Sequence, residues 1–142
     1  MIAVDSSVVI AACVSWHELH EAAGEVVQAR PRLVGHCALE AYSVLTRLPA
    51  AMRVAPALAV GYLDAMFPDE PLLLGPADVH GLAGRLHERG IAGGAVYDGL
   101  IALTAAAHGA ELLSLDRRAA ETYRRCGVSC RLLAGPGQPS AG

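Results

Sequence analysis

With 142 residues, 54% of them apolar and only 4% aromatic, the chain has the length of one domain and must build its core from Ala, Val, Leu and Ile. Its formal charge of −3 gives no general attraction to polyanions, and its eleven basic residues are all Arg. The absence of Lys excludes P-loop phosphate binding, Schiff-base chemistry and Lys-assisted aspartyl phosphorylation, each of which needs an ammonium at a fixed place.

The predicted elements alternate short apolar runs with longer helical patterns, the signature of an α/β domain with a mainly parallel sheet. Ile2 to Val4 reads as a buried strand, followed by a helical run through Val14 and a second helix over His17 to Ala29. Leu33-Val34 is a short strand, and the next helix, from about Cys37 to Leu48, ends at Pro49, which cannot continue it. Pro56 opens a helix to about Phe67. Pro71 to Leu74 reads as a third strand, and Pro76 opens a helix that Gly90 ends. A nearly all-apolar helix from Tyr97 to His108 is closed by Gly109. The strand Leu112 to Leu115, a helix from Arg117 to Cys126 and a last strand from Val128 to Leu132 follow. The domain thus spans 1–133, and 134–142 is a Gly/Pro/Ser tail without fixed structure.

Met1 to Asp5 lacks the positive region of a secretory signal, and no stretch of about 18 uncharged apolar residues occurs, so a soluble, cytoplasmic protein away from any membrane is expected. Cys13, Cys37, Cys126 and Cys130 show no C-x-x-C spacing, which argues against a zinc knuckle or a secreted disulfide framework. The excess of apolar over charged residues points to a face buried against a partner, as in a homodimer.

Two of the predicted strands end in an aspartate, Asp5 and Asp116, at the edge where parallel sheets form their ligand crevice. Either could equally cap the helix that follows. Asp98 lies in the first turn of the most apolar helix, where an ionised group is costly unless it is paired, capped or bound to metal. Glu40 falls on the helical wheel with Ser43 and Arg47, opposite the stripe Ala38, Ala41, Tyr42 and Leu45, which is the pattern of a solvated face.

The strand ending in Asp5 with Ser7 two residues on, the segment from Ala38-Leu39-Glu40-Ala41 to Arg47, and the run from Tyr97-Asp98-Gly99 to Ser114-Leu115-Asp116-Arg117 together resemble a PIN-domain nuclease. The short single-domain format is similar to VapC-type toxins of toxin–antitoxin pairs. The resemblance implies an α/β/α sandwich and an endoribonuclease dependent on one or two magnesium or manganese ions. It further implies an acidic catalytic and metal-binding pocket of Asp5, Glu40, Asp98 and Asp116, with Ser7 and Ser114 as hydroxyl groups beside the acids. RNA as substrate, with tRNA or rRNA cutting as the route to blocked translation, and a VapB-type antitoxin as partner follow from it. So does the alternative of a PIN-like scaffold that binds RNA or protein without cutting.

The residue types suit that chemistry. Hard divalent cations prefer carboxylate oxygens and keep several waters, which they make easier to ionise. Two such ions would carry the formal charge from −3 to about +1, removing the repulsion of RNA. Arg117 and Arg118, with Arg124 and Arg125 on the same helical segment, are candidates for phosphate contact. His17-Glu18-Leu19-His20 lacks the H-E-x-x-H metalloprotease spacing, and His36-Cys37 are sequence neighbours that do not face each other on a helix, so neither is assigned a role. A haloacid-dehalogenase-type phosphatase would need an Asp where Ser7 stands, and a receiver domain would need a Lys.

Overall fold

The structure is a computed structural model and describes residues 1–134. Its first strand, β1 (Ile2–Val4), leads through Asp5 into α1 (Ser6–Cys13), followed by α2 (His20–Gln28), β2 (Arg32–Leu33), α3 (Gly35–Thr46) and α4 (Pro56–Met66). Two short helices, α5 (Pro76–His80) and α6 (Leu82–Glu88), precede α7 (Ala95–Ala107), β3 (Glu111–Ser114), α8 (Arg117–Arg125) and β4 (Cys130–Leu132). The four strands form one parallel sheet in the order β2-β1-β3-β4.

That order fixes where a ligand can sit. The chain leaves β1 toward β2 on one side, and leaves β3 toward β4 on the other. The gap between the C-terminal ends of β1 and β3 is therefore the topological switch point, the ordinary place for a binding crevice in such a sheet. Asp5 follows β1 directly, and Asp116 stands two residues beyond β3.

The core is aliphatic, as the composition requires: Ala3 and Val4 of β1, Val8, Val9 and Ala11 of α1, and Leu112 of β3 are fully buried. The Tyr62 hydroxyl donates to the Val9 carbonyl at 2.8 Å and pins α4 to α1. Within α7, Ile101, Ala102, Leu103, Thr104 and Ala105 are buried, and Thr104 satisfies its hydroxyl on the Leu100 carbonyl at 2.7 Å. Gly99 lets α7 approach α6, because a Cβ there would collide with the buried Leu86 side chain. Gly109, at φ 64°, turns the chain out of α7 and into β3.

Two expectations from the sequence are corrected. The third strand over 71–74 does not form. Only Leu72 bridges to Val34, donating its N–H to Leu33 and accepting from Gly35, while Pro71 has no N–H to offer a ladder. The single helix expected from Pro76 to Gly90 is broken at Gly81 into α5 and α6. The tail lies, from residue 135 onward, outside the described residues. No helix among the described residues is long and apolar enough to cross a membrane.

Candidate active site

Asp5 anchors the site and is only 2% exposed. Its Oδ1 accepts from the Ser7 and Val8 amides at 3.0 and 3.4 Å, capping α1, and from the Ser7 hydroxyl at 2.5 Å. Its Oδ2 accepts from the Ser114 hydroxyl at 2.5 Å and from the Tyr123 hydroxyl at 2.9 Å. Burial raises its pKa, and these donors pull against that shift without overcoming it. The two serines also brace the loop carrying the next acid. Ser7 Oγ accepts from the Leu115 amide at 2.8 Å, and Ser114 Oγ accepts from the Asp116 amide at 3.0 Å.

Asp116 is exposed and caps α8, its Oδ1 accepting from the Arg118 and Ala119 amides at 2.9 and 3.2 Å. The capping expectation thus holds for both strand-end aspartates. Asp98, half-buried on the first turn of α7, shares with Asp116 a cleft of about 540 Å³ that Gly94, Ala95, Arg118, Glu121, Thr122 and Arg125 complete. Its carboxyl is pushed up to about 6, chiefly by burial and then by the negative charges of Asp116, Glu40 and Asp5. Three acids therefore act on Asp98 at this point of the fold, and Asp5 acts on Glu40 as well.

Glu40 departs from the solvated-face expectation. The buried stripe of α3 is Cys37, Ala41 and Leu45, and Glu40, beside it, is half-buried. Among the described residues its buried Oε1 has no hydrogen-bond partner. Burial raises its pKa, and so does Asp5, while His36 and the Ser6 hydroxyl oppose the rise. His36 Nε2 stands 3.7 Å from Oε1.

Sequence reasoning assigned no role to Tyr123, Ser6 or His36. Tyr123 was recoverable in part, since it falls with Ala119 and Ala120 on the buried face of a strongly amphipathic α8. His36 was recoverable as the i,i+4 neighbour of Glu40, and it also stacks on Tyr97 with ring centroids 5.5 Å apart and planes at 4°. Arg118 lines the cleft with Asp98, whereas Arg117 is exposed and does not line it.

The donor set is all carboxylate oxygen, which suits a hard divalent cation, and a buried carboxylate oxygen without a partner is an open valence of the kind such an ion fills. Among the described residues, however, no three His, Cys, Asp or Glu side chains stand close enough together to hold one ion. The acids therefore fit a metal by type and electrostatic coupling, and would have to draw together around it.

A parallel sheet with coupled carboxylates at its switch point defines a class once residues 2–125 are found to match the PIN domain: the chain belongs to the PIN-domain family. Within that family it is similar to VapC-type proteins. It is 44% identical over 133 residues to ribonuclease VapC40 of Mycobacterium tuberculosis, covering 94% of this chain and 99% of that one. It is also 44% identical over 128 residues to ribonuclease VapC27 of the same species, covering 89% and 93%. The crystal structure of PAE2754 from Pyrobaculum aerophilum shares the fold, with a TM-score of 0.60 at 22% identity over 91% of this chain and 89% of that one.

Proposed function

We propose that the chain is a metal-dependent endoribonuclease of VapC type, hydrolysing RNA phosphodiesters at the crevice between β1 and β3. The observation that carries this reading is the coupling of Asp98 to Asp116, Glu40 and Asp5 at the switch point. The names of the 44% identical relatives support RNA as the substrate; tRNA or rRNA as its class is part of the proposal itself.

Asp98, Asp116 and Glu40 would hold one or two magnesium or manganese ions, with Asp5 at the base of the site. A divalent cation supplies a Lewis acid against the phosphodiester and makes water easier to ionise, worth several kcal/mol of transition-state stabilisation. This chain's own residues prepare for it in distinct ways. The proton on Asp98 is held up to about 6 by burial first and then by its neighbours' charges, so metal binding and deprotonation are linked. Glu40 offers an oxygen that nothing else satisfies. Asp5 is held by five donors and fixes the separation of α1 from α8. The expected products carry 5′-phosphate and 3′-hydroxyl ends.

A VapB-type antitoxin and a second copy of the chain are the partners this reading expects, in the cytoplasm where its RNA is found. Leu39, Leu58, Val60, Leu73 and Val79, all left exposed, supply apolar surface for them. The test is cleavage of a defined RNA with magnesium, with the 5′ ends mapped, in the wild type and Asp98→Asn. Magnesium-dependent cutting lost in Asp98→Asn supports the nuclease. Equal activity in both would overturn it, and binding without cutting would point to a silent scaffold.

A further inference from the structure

We infer that the α8 face carrying Arg118 and Arg125, continued by Arg85 of α6 and Arg89 at the C-cap of that helix, is the path along which an RNA strand leaves the acidic centre. The inference names the substrate track of the nuclease proposed above and rests on that reading. Arg118, Glu121, Thr122 and Arg125 follow one another at i, i+3, i+4 and i+7, so a single face of α8 lines the cleft that holds Asp98 and Asp116. The seven-residue separation places the two arginines about 10 Å apart along the helix axis, room for more than one phosphate.

The positive surface does not stop at the cleft. Arg125 extends toward Gly90, where a Cβ would stand 3.3 Å from its Nη2. Arg125, Arg89 and Arg85 all act on the Cys126 thiol, opposing the upward push of its burial, which puts three guanidinium groups from two helices in one neighbourhood. Arg89 is braced by donating from Nη1 to the Arg85 carbonyl at 2.9 Å. The acids facing this strip are Glu121, within the cleft, and Asp78, which stands 3.5 Å from Arg85. These four arginines border the negative centre of Asp98 and Asp116 with positive charge, in a chain whose overall charge is −3. A polyanion approaching the acids is drawn toward such charge. Arg124 is different: it acts on Cys130 beside β4 and does not line the cleft.

The test is fluorescence anisotropy of a labelled, mixed-sequence single-stranded RNA of about 20 nucleotides, across a salt series. The protein is the Asp98→Asn chain, so that nothing is cut. Arg118→Gln and Arg125→Gln should each weaken binding roughly threefold to tenfold and flatten the slope of log Kd against log salt by about 0.7 per lost contact. Arg125→Lys should keep the slope, and Arg124→Gln should leave both quantities unchanged. Equal losses for Arg124→Gln, an unaltered slope, equal sensitivity with polyglutamate as the probe, or no RNA binding at low salt would each overturn the inference. Cleavage by the wild type with no dependence on these arginines would sink the track and spare the nuclease. Arginine-dependent binding without any cleavage would do the reverse.

Discussion

The Tyr123 hydroxyl donates to Asp5 Oδ2 across 2.9 Å and 118 residues of chain, joining the last turn of α8 to the end of β1. A buried hydrogen bond to a carboxylate contributes about 1.5 to 3 kcal/mol, and losing one of several donors costs less than leaving the acceptor bare. Tyr123→Phe should therefore lower stability by about 1 to 2 kcal/mol, read as a fall in denaturant midpoint at unchanged slope. A double-mutant cycle with Asp5→Asn should show coupling of the same order. A cycle that closes to zero would mean that the bond contributes nothing.

Asp98 has a folded pKa near 6 against an ordinary value of 3.8. The folded chain thus holds this proton more tightly than the unfolded chain does. Its stabilising contribution is complete below about 3.8 and is lost as pH rises through 6. A shift of two units corresponds to about 3 kcal/mol, reduced to about 1 kcal/mol by solvent screening of a half-exposed carboxyl. Without metal, Asp98→Asn should melt above the wild type at pH 7.5, with the gap closing near pH 4. A variant that melts lower at both pH values would contradict this.

The same proton shapes activity. Cleavage should rise through pH 6 with the ionisation of Asp98, and the midpoint should move down as magnesium increases, because the ion competes with the proton. A pH profile indifferent to magnesium would disconnect Asp98 from the metal.

Glu40→Gln separates function from structure. Its Oε1 makes no hydrogen bond among the described residues, so the substitution should leave the metal-free unfolding free energy within about 0.5 kcal/mol of the wild type or raise it. Activity should fall on the order of 100-fold, as for loss of one preorganised electrostatic contact. Full activity in Glu40→Gln would remove Glu40 from the site.

Much of this fold was legible because its local signals agree. Asp5 and Asp116 read as strand-end acids, and the apolar run after Asp98 as a buried helix, since each depends on a few adjacent residues. The third strand failed because a lone apolar run around Leu72 cannot be told from a single bridging residue without its neighbour Val34. Glu40 was misplaced because the apolar stripe was drawn through Ala38 and Tyr42, whereas α3 buries Cys37, Ala41 and Leu45. Tyr123 and Ser114, which meet Asp5 from more than 100 residues away, had no local sign of that contact.

The five bonds to Asp5 also set a clock. Tyr123 is made 118 residues after Asp5, roughly 6 to 24 s of synthesis later at about 5 to 20 residues per second. Until β3 and α8 have emerged, the carboxylate lacks the Ser114 and Tyr123 donors, and Asp116 is not in place beside it. A chain that cuts RNA would thus be incapable of doing so on its own ribosome until α8 is complete, which leaves time for an inhibitor to be waiting.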